Sequence, residues 1–303
     1  MNQTLSQAVR RTPAELAPAL VGEVAGLVSP PDVCARVFEL IQSPDATINQ
    51  IGEVIARDPN LTARLLRLVN SSFYNFTRKI DTVSRAVTII GVRDLYNIVI
   101  AVSAVNSFNR LPNNIVNMDT FWRHSLYCGL IARSLAKHRH VLHPERLFVA
   151  GLLHDIGSLV LYNKMPDVMR DLLLIADGDE EVLHTAETEE FGFSHADLGG
   201  LLLRSWQLPE ILQEAVSHHH TPAMAGNAAM ESAIVHVASV LANRSEIGAY
   251  CEGQVRAETI DTAAWRILGL GEAGLPDEDL NVFIGEAGLQ FGDTAMLISN
   301  GRG

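Results

Sequence analysis

The chain has 303 residues, 48% of them hydrophobic and 19% charged, with a formal net charge of −12. This composition fits a soluble globular protein with a sizeable core, and the acidic balance argues against nucleic acid or an anionic membrane as the main partner. Cys34, Cys128 and Cys251 show no CxxC spacing, no signal-peptide pattern follows Met1, and no apolar run is long enough to span a bilayer, so a cytoplasmic protein is expected.

Taken in chain order, nearly every segment carries the 3.6-residue period, and no convincing alternating strand is found, so the expected fold class is all-α. Residues 1–30 give one or two helices closed by Ser29-Pro30-Pro31, and Pro31 leads into a helix over Asp32–Gln42. Thr47 and Gln50 form a capping box that starts a helix through Arg57. Asp58-Pro59-Asn60 breaks it, with Asn60 expected to cap Leu61–Asn70. A short helix over Ser84–Ile90 stops at Gly91, and a long apolar helix runs from Val92 to about Phe108. Leu111-Pro112-Asn113-Asn114 reads as a linker between two helical layers.

The second layer is expected to begin with helices at Asp119–Lys137 and Pro144–Asp155. Segments Pro166–Ala176 and Glu180–Glu190 look amphipathic and structural. Ser194 and Asp197 resemble another capping box, opening a helix through Trp206. Helices over Pro209–His220 and Ala228–Asn243 follow, then weaker ones near Asp261–Leu268 and Asp277–Gly288.

The chemistry concentrates around Val149–Gly157, where an apolar run ends in His154 and Asp155. Burying an imidazole beside a carboxylate is costly unless something pairs with them. Helical neighbours point about 100° apart, so these two are expected to converge on an ion beyond the helix end, with Gly157 turning the chain away. His124, His195, His219 and His220 occupy helix positions that suit the same cluster. His124 shares a face with Cys128 and Ile131, and Gly199 permits close packing one turn after His195.

Taken singly, each of these histidines is more often a hydrogen-bonded core residue or a solvated helix end than a ligand. The combination of six changes the odds. His138, His140, His143 and His184 read as surface residues, and His236 as core. Imidazole nitrogen and carboxylate oxygen suit zinc, iron or manganese. A two-ion site of this kind activates water for attack on phosphorus and neutralises phosphate charge.

The series His124, His154-Asp155, His195-x3-Gly199 and His219-His220 resembles the ligands of the HD superfamily of metal-dependent phosphohydrolases, nearest its HD-GYP branch. The segments Arg57–Ser71 (RDPNLTARLLRLVNS) and Ile80–Gly91 (IDTVSRAVTIIG) resemble the HDOD family. That likeness implies an all-helical, HD-like fold and a bacterial signalling output module. It implies an N-terminal extension over 1–19, an HDOD domain over 20–243 (a helical layer over 20–111 on an HD-like core over 115–243) and a C-terminal helical tail over 244–303.

The chain also departs from the HD-GYP pattern. Ser158 stands where lysine is usual, Ser239 where the last aspartate ligand is expected, and Thr221-Pro222-Ala223-Met224 follows the histidine pair in place of the Gly-Tyr-Pro element. Serine supplies no charge to offset a dication. The first expectation is therefore a signalling module that works through contacts with other signalling proteins and holds a degenerate metal pocket. A metal-dependent phosphohydrolase, with Asp155 bridging two ions, is the second. A sensor whose pocket takes a small phosphate-type anion or a metal is the third.

Overall fold

A computed structural model describes residues 12–25, 32–111, 113–249 and 259–298, and among these residues the fold is all-helical with no strand. Ser29-Pro30-Pro31, Pro112 and Cys251 lie outside the described residues.

Helix α1 (Pro13–Ala25) packs against elements of the second layer, and the first layer contains α2 (Asp32–Gln42), α3 (Ile48–Ala56), α4 (Pro59–Val69), α5 (Val83–Ile90) and α6 (Val92–Phe108). Local side chains set most of its helix starts. Thr47 and Gln50 make the expected reciprocal capping box on α3, and Thr82 accepts from the Arg85 amide to start α5. The cap of α4 differs from expectation. Asp58 accepts from the amides of Asn60 and Leu61 while Pro59 takes the first helical position, where its missing N–H costs nothing. Gly91, at φ 95°, separates α5 from α6 in a conformation that side chains resist. Helix α6 is buried all round from Leu95 to Val105, where its sequence is apolar apart from Asn97 and Ser103, and packs against α2, α4 and α5.

The second layer is built on α7 (Met118–His138), which packs against α8 (Glu145–Leu153). The chain continues through α9 (Ile156–Lys164), α10 (Pro166–Ala176), α11 (Glu180–Phe191), α12 (His195–Ser205), α13 (Glu210–Ser217) and α14 (Ala229–Asn243). Helix α14 lies along α7, α13 joins α12 to α14, and α9 lies against α12. The expected single helix ending at Asp155 is in fact two, broken at His154-Asp155, with Gly157 inside the second.

Gly157 therefore does not turn the chain. A side chain there would collide with the His195 carbonyl oxygen and lie 2.6 Å from the Gly199 amide, so glycine is what lets α9 touch α12. Gly129 and Gly151 do the same where α7 crosses α8: a Cβ on Gly151 would lie 2.7 Å from the Gly129 Cα. These two contacts bring four helices within side-chain reach of one centre.

The layers meet where α6 packs on α8. Phe73, in the loop after α4, stacks edge-on against Phe148 at 4.6 Å, and the buried Arg133 guanidinium sits 3.7 Å over the Phe73 ring while reaching Glu145. The C-terminal region continues with α15 (Thr262–Ile267), against α14, and α16 (Asp277–Thr294), against α7. Helix α16 runs a turn and a half beyond the expected end at Gly288. It is tied down by the Tyr127 hydroxyl donating to the Ile284 carbonyl, and Arg64 holds the Leu297 carbonyl at 2.9 Å. No helix among the described residues is long and apolar enough to cross a membrane.

Candidate metal centre

All six expected residues meet. His124 comes from the second turn of α7, His154 ends α8, Asp155 precedes α9, and His195 opens α12. His219 and His220 lie just past the end of α13, which stops at Ser217 and not at His220. Each of the six is at most 9% exposed.

The rings share one orientation. Nδ1 donates to the Gly248 carbonyl in His124, to the Gly151 carbonyl in His154 and to the Val216 carbonyl in His219, each at 2.8 Å. In His195 and His220 it donates to carboxylates, Glu187 at 2.6 Å and Glu181 at 2.8 Å. Carbonyls and carboxylates only accept, so the proton of each neutral imidazole sits on Nδ1 and the Nε2 lone pair faces the centre. Five Nε2 atoms thus converge.

They converge as two groups about one carboxylate. Asp155 Oδ2 lies 3.1 Å from His154 Nε2 and 3.7 Å from His124 Nε2, while Oδ1 lies 3.5 Å from His195 Nε2 and 3.7 Å from His219 Nε2. Within the groups, Nε2 faces Nε2 at 3.3 Å in the His124–His154 pair and at 3.1 Å in the His195–His220 pair. Two lone pairs at that distance need a cation or a proton between them. His219 Nε2, fully buried, has no hydrogen-bond partner among the described residues. The donor set and the orphaned nitrogen fit divalent ions of the nitrogen- and oxygen-seeking class.

Protonation states support that fit. Burial drives His154 down to about 4, and burial together with neighbouring imidazoles drives His219 and His220 well below the usual value, so these rings are neutral at physiological pH. Burial also works against charge on Asp155, but the surrounding imidazoles outweigh it and hold the carboxyl at about 2. His195 is the exception. Burial opposes its charge, yet Glu187 wins and raises it to about 9, so an ion taking its Nε2 displaces a proton.

Helix α11 is the part the sequence reading missed. Expected to be structural, it sends one carboxylate to the centre and two more behind its rings. Glu187 accepts from both the ring and the backbone amide of His195, and Glu181 fixes His220. Glu180 lies 3.4 Å from His124 Nε2 and accepts from Ser239 Oγ at 3.0 Å. Burial, then the nearby Asp155 charge, push the Glu180 carboxyl up to about 8. The signal was there: Glu180, Leu183, Glu187 and Phe191 form one buried stripe at helical spacing, so two carboxylates occupy apolar positions. His184, expected at the surface, is half-buried and stacks on His220 at 4.5 Å. His236 is core as expected, held between the His219 carbonyl and the Asp261 amide. His138, His140 and His143 are exposed.

The same chain is similar to known proteins. The model of the HDOD domain family matches residues 27–222. A curated protein of Treponema pallidum (strain Nichols), named "Uncharacterized protein", is 26% identical over 208 residues, 68% of this chain. The chain spans about 40% of the length of that relative. The crystal structure of an HDOD domain protein with unknown function from Geobacter sulfurreducens superposes with a TM-score of 0.68 at 24% identity, covering 93% of this chain and 97% of that one. A Shewanella amazonensis SB2B structure named "Putative phosphohydrolase" gives 0.65 at 24% identity, covering 93% and 98%. These two likenesses establish a shared fold.

Proposed function

The chain belongs to the HDOD family, and we propose that it is a signal-transduction output module whose metal-holding core sets the arrangement of its two helical layers for contact with partner proteins. The supporting observation is an inward-facing set of six ligand-type residues, each at most 9% exposed. A buried centre can hold an ion and be stabilised by it, while Ser158 and Ser239 supply none of the charge that lysine and aspartate bring to the HD-GYP pattern. Zinc, iron and manganese all match the donors, and once bound such an ion would polarise water or a phosphate oxygen. His124, His154 and Asp155 would hold one ion, and Asp155, His195, His219 and His220 a second. Glu187 and Glu181 orient two of those rings, the usual work of carboxylates behind metal-bound histidine.

Two experiments test this reading together. Tag-free protein loaded with manganese, iron or zinc should bind metal yet leave cyclic dinucleotides, nucleotides and simple phosphoesters intact. Affinity capture from cells of its own source should retrieve a specific signalling protein, and capture that retrieves none under any growth condition counts against the reading.

One observation favours a second reading, a metal-dependent phosphohydrolase. Asp155 presents one oxygen to each ligand group, as a bridging carboxylate in a two-ion site does. Turnover that disappears in Asp155→Ala, but persists when an outer-surface residue is replaced, would establish hydrolysis and displace the first reading.

A further inference from the structure

Ser239 leaves the first ligand group one carboxylate short when judged from the chain order of the ligands. The space it leaves is filled from elsewhere. The left-handed turn Asp177-Gly178, at φ 47° and 79°, reverses the chain after α10, and Asp179 caps α11 through the Val182 amide. This places Glu180, the first residue of α11, inside the protein at 5% exposure. Ser239 Oγ sits 3.4 Å from His124 Nε2, and Glu180 Oε1 sits at the same 3.4 Å from that nitrogen. Ser239 donates to the other Glu180 oxygen, Oε2, at 3.0 Å. A short side chain at 239 thus both vacates the position and orients its replacement.

We infer that Glu180 is a metal ligand of this centre, standing in space for the carboxylate absent at Ser239. The first ion would then be held by His124, His154, Asp155 and Glu180, two neutral nitrogens and two carboxylates. Glu180 adds a second negative charge to the one from Asp155, which is shared with the other ligand group. Metal ligation also gives a reason for burying a second carboxylate beside Asp155, where two charges would repel unless a proton or a cation is shared. The hydroxyl of Ser239 has a defined part: it holds Oε2 and so orients the carboxylate beside His124.

This inference rests on the metal-binding reading, and the test separates the two. Manganese binding by tag-free parent, Glu180→Gln and Glu180→Gln/Ser239→Asp is followed by electron paramagnetic resonance and by metal content after desalting. Glutamine keeps the shape and the acceptor for Ser239 while removing the charge, so the fold should persist, as circular dichroism and the unfolding midpoint would verify. Glu180→Gln should weaken manganese binding at the first ion by at least about ten-fold. The double variant, which returns a carboxylate at residue 239, should recover most of that loss. Binding by Glu180→Gln within about two-fold of the parent overturns the Glu180 assignment and leaves the metal-binding reading intact. A parent that binds no manganese, iron or zinc overturns both.

Discussion

Helices α2–α6 and α7–α14 are packed by the same apolar periodicity, yet they bury different chemistry. In the first group, the buried polar side chains among the described residues are Asn97 and Ser103. Its other polar residues, such as Thr47, Asp58 and Thr82, work at helix ends, satisfying backbone amides. In the second group six imidazoles, five of them in the cluster and the sixth that of His236, and the carboxyls of Asp155, Glu180 and Glu187 are shut inside. One layer is stabilised by hydrocarbon and caps. The other carries a cluster whose burial opposes folding until a cation compensates it, and only that layer should respond to metal and to pH.

The comparison breaks most visibly under truncation of the first layer. Leu65, fully buried in α4, replaced by alanine should cost about 2–5 kcal/mol. Urea unfolding would measure this, and metal content should stay at the parent level. Gly157→Ala should cost about 1–3 kcal/mol, because the added methyl meets the His195 backbone. Unlike the leucine change it should also lower metal content, since it parts α9 from α12. Metal loss in Leu65→Ala, or none in Gly157→Ala, would erase the distinction between the layers.

Acidity sharpens the contrast. Unfolded imidazoles take protons below about pH 6.5, but folded His154 resists until about 4, and His219 and His220 resist further. The unfolded state then binds more protons, so stability from these rings is complete above pH 6.5 and falls as the pH drops toward 4. His195 acts oppositely: raised to about 9, it contributes below 6.5 and loses that contribution as pH rises through 9. Glu180, raised to about 8, also opposes the three lowered imidazoles by gaining stability as the pH falls. They outnumber it, so urea midpoints of metal-free protein from pH 7 to 4.5 should fall, and His154→Gln should flatten the profile. A parent profile that is level across that range would contradict the assignment.

The smallest effects belong to helix positions away from the centre. Asp58→Ala should cost about 1 kcal/mol through loss of the α4 cap. Gly22→Ala, where an added methyl meets nothing, should stabilise by about 0.5–1 kcal/mol. Neither should change metal binding. Thermal unfolding resolves both.

Much of this was legible in the residues. The six ligands could be grouped because imidazole and carboxylate on apolar helix faces have few inexpensive fates, and the long HDOD-like segments framed them. What escaped did so for physical reasons. The break at His154-Asp155 has no proline or polar punctuation, because both flanking segments are buried and apolar. Gly157 read as a turn, although the reason for glycine there is the neighbouring helix backbone, which no local pattern reveals. Glu180, Glu181 and Glu187 were hidden by composition, since a helix rich in glutamate looks like a solvated face. Asp58, not Asn60, caps α4 because Pro59 already fits the first helical position.

The most direct test of the central claim is metal content and thermal unfolding of tag-free protein, with and without added manganese, in the parent, Asp155→Ala and Asp58→Ala. The parent and Asp58→Ala should retain about two ions per chain and unfold at higher temperature when loaded, while Asp155→Ala should lose both properties and keep its helical spectrum. Asp155→Ala that binds manganese as the parent does, or a parent that takes up no metal, would contradict the account.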